Sequence, residues 1–92
     1  MNKKGGKKPP FMLEQINEPI EVVSYFKQGR LIPVKFFWQG KPYFVQKVNL
    51  DYSHWEGRSK VYYFAVSDNV NYFKLQFDTD TLKWILLESY TE

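Results

Sequence analysis

Six short runs of strand-forming residues follow Pro19, and the links between them are too short to hold a helix. Every link contains Gly, Asn or Asp, which are residues that tolerate the backbone angles of tight turns. No later stretch shows the i, i+3, i+4, i+7 apolar spacing of a helix long enough to cross a sheet. We therefore predict strands over residues 20–27, 31–39, 43–52, 60–67, 72–77 and 82–89.

Short links between consecutive strands predict antiparallel neighbours, so the strands should form a meander. Apolar and polar residues alternate along the runs, which is typical of a sheet with one solvent-exposed face. Because no helix is available to cover the other face, the sheet must curl on itself. The predicted fold class is all-β: a six-stranded antiparallel meander curled into a small barrel-like or strongly bent sheet.

The alternation also predicts which side chains share a face of the sheet. It gives three groups: Ile32, Val34, Phe36 and Trp38 on the second strand; Phe44, Val48 and Leu50 on the third; and Phe73, Leu75 and Phe77, turned inward, on the fifth. Pro33 lacks an N–H donor, so we expect it at a bulge or at an edge of the sheet.

The net charge of +3 is carried by the start of the chain. Residues 1–10 hold four of the 13 basic residues and none of the ten acidic ones, so the remainder is nearly neutral. We predict a disordered basic tail over residues 1–10 and one small β domain over residues 11–92. Residues 11–18 are expected to form either one helical turn or an extended lead-in that ends at Pro19. The neutral body does not resemble a basic nucleic-acid-binding domain.

The composition excludes several classes of protein. There is no Cys, so no disulfide framework and no thiolate metal site can form. No apolar run approaches the roughly 18 residues that span a bilayer. The basic start is not followed by the apolar stretch of a signal peptide. We therefore expect a cytoplasmic protein that makes no contact with a membrane.

The stretch "KVYYFAVS" invites comparison with the aromatic octamer of the RNA recognition motif. Aligned from Lys60, it matches that octamer at Lys60, Tyr62 and Phe64 and fails at four constrained positions. That fold also needs two helices, which the sequence lacks. We reject this assignment and keep a more general one, in which an exposed Tyr62 or Tyr63 ring stacks on a ligand. The alternative is a cross-strand pair with Tyr43 or Tyr72.

Alternate loops of a meander lie at the same end of the sheet, which brings residues 28–30, 53–59 and 78–81 together. The candidate binding surface there consists of Lys27, Arg30, His54, Trp55, Arg58, Lys60, Tyr62 and Tyr63. Acidic residues at the same end reduce its positive potential. Trp55 has two interpretations, because an indole in this loop either contacts a ligand or plugs the open end of the barrel.

The inventory for catalysis is small. The single histidine permits one Ser–His–Asp set, made of Ser53, His54 and Asp51, and nothing supplies an oxyanion hole. The carboxylates show no metal-ligand spacing, and no phosphate-binding loop is present. We predict a protein that is not an enzyme and that has no cofactor or metal.

Two function hypotheses stay open. The first is a small interaction module that binds a protein partner or single-stranded nucleic acid through exposed aromatic side chains. The second is a structural or self-associating domain, either a monomer or a weak dimer, whose aromatic residues pack its core and a subunit interface. The sequence does not decide between them.

Four stretches resemble a small bacterial family of unknown function: "IEVVSYFKQGRLIPVKFFWQGKPYFV", "HWEG", "YYFAV" and "YFKLQFDTDTLKWILLESY". Together they cover most of residues 20–90. Members of that family occur as stand-alone proteins, and some of their genes lie beside, or are fused to, genes for Y-family translesion DNA polymerases. The resemblance implies an accessory role near DNA repair and offers no catalytic residues to carry over.

Overall fold

The protein is described by a computed structural model that covers residues 12–91, so the predicted disordered tail over residues 1–10 lies outside the described residues. The described part is all-β and contains no helix that could span a bilayer. Its strands are β1 (Met12–Lys27), β2 (Arg30–Trp38), β3 (Lys41–Phe44), β4 (Lys47–Glu56), β5 (Ser59–Ser67), β6 (Asn71–Asp78) and β7 (Lys83–Thr91).

The seven strands form one antiparallel sheet in the order β3-β2-β1-β7-β6-β5-β4, and the sheet curls into a half-barrel. The long β1 pairs with β7 over its first half and with β2 over its second half. This arrangement confirms the predicted antiparallel, barrel-like fold class. The number of strands is seven rather than six because the predicted third strand divides into β3 and β4.

Pro19 does not end the segment that precedes it, and the helical alternative is wrong for residues 12–18, which lie in β1. Pro19 lies within β1 and pairs with Ile85 of β7. The pairing between β1 and β2 starts only at Glu21. No strand therefore pairs with Pro19 on that side, and the N–H that proline lacks is not needed there. The register with β7 shifts between Gln15 and Glu18, where Asn17 adopts a positive φ of 55°. The proline thus follows a bulge, where strands tolerate it.

The division between β3 and β4 curls the sheet. The N–H of Val45 donates to the carbonyl of Val34 on β2 at 2.9 Å, and the N–H of the next residue, Gln46, donates to the carbonyl of Ser67 on β5 at 3.0 Å. The chain therefore leaves one end of the strand order and joins the other within two residues. This crossing brings the two edges of the sheet toward each other.

The core fills the concave side of the half-barrel. Phe73 and Leu75 of β6 are buried and Phe77 packs against them, which confirms the inward face predicted for that strand. The Phe36 and Phe73 rings meet edge to face with 5.0 Å between their centroids. The largest fully buried side chains on this side are Pro33, Phe36, Phe64, Val66, Leu75 and Leu86, whereas Val61 is buried on the opposite face of β5.

Two bulges overturn the other predicted faces. On β2 the register skips Val34, so Leu31 and Pro33 are buried in place of Ile32 and Val34. Pro33 therefore lies beside a bulge, as expected from its missing donor. On β4 the register skips Asn49, so Val48 packs on the core while Leu50 is 56% exposed. Each extra residue rotates the rest of its strand to the other face.

Candidate functional site

The hairpin of β4 and β5 divides the predicted site residues between two faces of the sheet. Tyr62 and Phe64 pack on the core, so the positions paired with them belong to the concave face. The concave positions are Asp51, Ser53 and Trp55 on β4 and Lys60, Tyr62 and Phe64 on β5. The convex positions are Tyr52, His54 and Glu56 on β4 and Ser59, Val61 and Tyr63 on β5.

Trp55, Lys60 and Tyr62, with Arg58 in the adjoining turn, form what we call the concave rim. Trp55 pairs across the hairpin with Lys60, and the Lys60 Nζ lies 5.3 Å from the centre of the Tyr62 ring. Tyr62 in turn lies parallel to the buried Phe64 ring at 6.4 Å. The Trp55 side chain is 67% exposed. An indole this exposed fills no part of the core, so the interpretation of Trp55 as a plug is wrong.

Arg30 lies apart from the concave rim. Its Nη2 donates to Asp51 Oδ2 at 2.8 Å, which joins the start of β2 to the middle of β4. Asp51 precedes Trp55 by four residues, about 13 Å at the usual rise of a strand. Lys27 is exposed and pairs with Arg30 across the β1–β2 turn. The sequence predicts that Arg30 and Lys27 lie with the tip of the β4–β5 hairpin, whereas Arg30 contacts the centre of β4.

The turn after β6 lies beside the rim, as predicted. Thr79 donates both its N–H and its Oγ1 to the carbonyl of Lys60, at 3.1 and 2.7 Å. The N–H of Asp80 donates to Asp78 Oδ1 within the same turn. The basic residues at this end, Lys27, Arg30, Arg58 and Lys60, are accompanied by the acidic residues Asp51, Glu56, Asp78 and Asp80. The acidic side chains offset much of the positive charge of the end.

Tyr63 is the centre of a cluster on the convex face. Its ring stacks on Tyr52 at 5.1 Å and lies 5.1 Å from the His54 ring. Its hydroxyl donates to Glu56 Oε2 and accepts a hydrogen bond from Gln76 Nε2 at 3.2 Å. The same Glu56 oxygen lies 2.7 Å from His54 Nε2. The expected cross-strand partner was Tyr43 or Tyr72, and the observed one is Tyr52. Tyr63 is thus packed within the face rather than free to stack on a ligand.

These contacts shift two pKa values. Burial and the hydrogen bond to Glu56 raise the pKa of Tyr63. The hydrogen bonds from Tyr63 and His54 hold the pKa of Glu56 below its usual value. Both shifts favour the neutral phenol and the ionised carboxylate that the hydrogen bond requires.

The division of faces excludes the Ser–His–Asp hypothesis. His54 points to the convex face with Glu56, whereas Ser53 and Asp51 belong to the concave face. A nucleophile and its base must lie within hydrogen-bonding distance, which opposite faces of a sheet do not allow. Within residues 12–91, no group of three or more His, Asp or Glu side chains is arranged to hold a metal ion.

Sequence reasoning missed the roles of Tyr52 and Asp51. Counting back from the Gly57–Arg58 turn pairs Glu56 with Ser59 and hence Tyr52 with Tyr63, so the convex pair had a usable signal. The contact of Asp51 with Arg30 had none, because it depends on how the sheet curls.

Comparisons of the chain with protein-family models, with curated proteins and with solved structures give no match. The resemblance to the small bacterial family therefore stays a prediction that rests on the four stretches quoted above. The accessory role near DNA repair that it implies stays a prediction as well.

Proposed function

We propose that the protein is a non-enzymatic interaction module that binds a protein partner at the concave rim. The observation that carries the proposal is Trp55, a large aromatic side chain that is two-thirds exposed at the tip of a paired hairpin. Trp, Tyr and Arg dominate the energetic centres of protein interfaces. Trp55, Tyr62 and Arg58 bring these three residue types together at one end of the sheet.

The rim is held in place before any partner arrives. Lys60 is anchored through its carbonyl by Thr79, and Tyr62 lies between the Lys60 ammonium and the Phe64 ring. β5 also pairs with a strand on each side. Binding to an ordered surface loses less conformational entropy than binding to a mobile one, so this order supports a role in recognition.

The charges favour a protein over single-stranded nucleic acid. Nucleic-acid affinity comes largely from basic residues that neutralise phosphates. Arg30 is already paired with Asp51, and the acidic residues at this end offset much of its positive charge. We place this module in the cytoplasm on its composition alone.

The test is a selection from displayed random peptides of about ten residues, the upper length of a typical strand. We expect enriched peptides that bind the wild-type chain and bind Trp55→Ala at least about tenfold more weakly. Val70→Ala is the matched control, because Val70 is 66% exposed in the turn between β5 and β6, away from the rim. It should change the Kd by less than about twofold.

Two results would reject the proposal. One is the absence of any enriched peptide, and the other is a set of peptides that bind Trp55→Ala as tightly as the wild type. A parallel titration with a single-stranded thymidine oligonucleotide covers the remaining ligand class. Saturable, salt-sensitive binding that Trp55→Ala removes would assign the rim to nucleic acid instead.

A second candidate function, self-association, is supported by the outer face of β1, β2 and β3. Val23, Lys35 and Phe44 are successive cross-strand partners there, and the Phe44 ring is largely exposed. The Lys35 Nζ lies 5.2 Å from the centre of the Phe37 ring and 5.5 Å from that of Phe44. Exposed aromatic rings on one side of a sheet are typical of surfaces that pair with another molecule.

A further inference from the structure

The half-barrel has an opening between β2 and β4, which we call the seam. It is bounded by residues 30–33 of β2 and 50–55 of β4. β2 and β4 separate where Val45 makes its hydrogen bond to Val34 and Gln46 makes its bond to Ser67. Beyond that point no Cα atom of β2 lies within 8 Å of a Cα atom of β4, so the described parts of the two strands do not pair.

The width of the seam suits one additional strand. Hydrogen-bonded strands lie about 4.8 Å apart, so two spacings amount to nearly 10 Å. The Cα atoms of the two walls are more than 8 Å apart, yet the side chains of Arg30 and Asp51 meet across the seam at 2.8 Å. A single Arg–Asp pair spans about two strand spacings, which leaves space for one strand between the walls and not for several.

The β4 wall presents backbone groups that no described strand uses. In an antiparallel pair, residues alternate between those that hydrogen-bond to the partner and those that direct their N–H and C=O away from it. Glu56 and Ser59 flank the two-residue turn and form the bonded pair. Trp55, Ser53 and Asp51 therefore direct their N–H and C=O groups into the seam.

An observed hydrogen bond supports this count. Lys60 pairs with Trp55, and its carbonyl accepts a hydrogen bond from Thr79 on the side of β5 that faces away from β4. This is the direction expected for a residue whose backbone does not hydrogen-bond to β4. The same counting from the Lys27–Arg30 pair directs the N–H and C=O of Leu31 into the seam. The backbone of Pro33 has the same orientation, and because proline has no N–H, no unpaired donor results there.

Side chains in the seam define what an inserted strand must carry. A cavity of about 190 Å³ lies between the walls, with Tyr62 and Phe64 as its floor. Alternate residues of the inserted strand would face these rings and should be apolar. Arg58 and Lys60 flank the outer end, and neither of them forms an ion pair with another described residue.

Two acidic residues of this end point away from the seam: Glu56 belongs to the convex face with His54, and Asp78 accepts a hydrogen bond within its own turn. Asp51 lies in the seam, where its carboxylate is paired with Arg30. Arg58 and Lys60 are left without an acidic partner among the described residues. A carboxylate at the outer end of the inserted strand would complement them.

We propose that the seam binds an extended segment of a partner protein, which adds to the edge of β4 as an antiparallel strand. Its apolar side chains lie at alternate positions over Tyr62 and Phe64, and its acidic N-terminal end lies near Lys60. Antiparallel addition is favoured because β4 offers the longer free edge and antiparallel pairs are slightly more stable per residue. This inference rests on the proposed function, of which it specifies the partner.

The test uses peptides selected on the wild-type chain and two substitutions at Ser53. Ser53→Pro removes an N–H that faces the seam and does not serve the β4–β5 ladder, so the fold should persist. Ser53→Ala removes the hydroxyl and keeps the N–H. We expect Ser53→Pro to raise the Kd at least about tenfold and Ser53→Ala to change it less than about twofold. Urea unfolding of both variants reports whether the ladder is intact.

A second measurement keeps the test decisive if Ser53→Pro unfolds. Methylation of single backbone nitrogens along a bound peptide should weaken binding at every second residue, since only alternate N–H groups face β4. Equal sensitivity at all positions, or at none, overturns the strand-addition proposal.

The outcomes separate this inference from the proposed function. If Trp55→Ala abolishes peptide binding while Ser53→Pro binds like the wild type, the seam proposal is wrong and the rim proposal stands. If Ser53→Pro abolishes binding while Trp55→Ala does not, the seam stands without the rim. If no peptide is enriched, both are wrong. If Ser53→Pro instead dissociates a dimer, the occupant is a second copy of the chain and the partner proposal is wrong.

Discussion

Arg30 of β2 and Asp51 of β4 form an ion pair across the opening of the half-barrel, with 2.8 Å between Nη2 and Oδ2. No backbone pairing joins these strands there, so this contact is a side-chain link between them. Both side chains remain accessible to water, which limits the strength of their attraction.

A double-mutant cycle should measure this link. We expect Arg30→Ala and Asp51→Ala to couple by about 0.2–1 kcal/mol in the free energy of unfolding, because solvent screens exposed pairs. The coupling should shrink as salt is added to the urea titrations. A coupling that salt leaves unchanged would show that the pair acts through buried contacts instead.

Removing core volume should destabilise the domain strongly. Leu75 is 0% exposed, so Leu75→Ala should lower the free energy of unfolding by about 2–5 kcal/mol through lost burial and a residual cavity. Leu82 is 71% exposed, and Leu82→Ala should change it by less than about 0.5 kcal/mol. Urea denaturation followed by tryptophan fluorescence compares the two. Similar losses for both would mean that the assigned core is wrong.

Tyr63 and Glu56 should make stability depend on pH at both ends of the range, because the phenol is buried and the two side chains share a hydrogen bond. The pKa of Glu56 is lowered from 4.5, so its contribution is present above that pH and is lost as the pH falls through the folded-state pKa. The pKa of Tyr63 is raised from 10.0, so its contribution is present below that pH and is lost as the pH rises through the folded-state pKa.

Tyr63→Phe removes the hydroxyl, so it should abolish the alkaline dependence and weaken the acid one, which His54 still supports, when urea midpoints are measured against pH. Tyr52→Phe is the matched control, because it keeps the stacked ring pair and leaves the Tyr63–Glu56 bond in place. A Tyr63→Phe profile parallel to that of the wild type would contradict the assignment of the pH dependence to this bond.

Self-association through the outer face of β2 and β3 is directly measurable. If that face pairs with a second copy, the average mass from light scattering should rise with protein concentration. Phe44→Ser should abolish the rise, because it removes an exposed ring beside Lys35. Leu82→Ser, an equally non-disruptive change in the turn after β6, should leave it unchanged. A monomer at every concentration would exclude this second candidate function.

The turns were predictable from the sequence because their causes are local. Two of the turns have the paired positive φ values of tight hairpins, at Gln28–Gly29 and at Gln39–Gly40. Dipeptides that contain Gly indicate such turns in a sequence. The bulge at Val34 was indicated by Pro33 beside it, which lacks the N–H donor of a regular ladder. The bulge at Asn49 was not predictable, because an Asn within a strand does not by itself require an extra residue. The crossing at Val45 and Gln46 depends on Val34 and Ser67, which are distant in the sequence.

In the candidate site, too, features with local causes were predictable and features that depend on long-range contacts were not. Trp55 was recognised because an indole in a polar loop is conspicuous in any sequence. Alternation showed that Tyr62 and Tyr63 face opposite ways, but only the packing of Phe64 and Tyr62 on the core decides which face is which. The separation of Arg30 from Arg58 depends on the curvature of the sheet, and no local pattern encodes that curvature.

The pairing of β1 with β7 has a consequence for how the chain folds. These strands join residues 12–20 to residues 84–91, so their contacts close a loop of most of the described chain. Contacts of such high sequence separation form slowly, because the entropy of loop closure must be lost before they stabilise anything. On the ribosome, the hairpins can assemble as they emerge. The first half of β1 pairs with β7, so it remains unpaired until β7 has been synthesised.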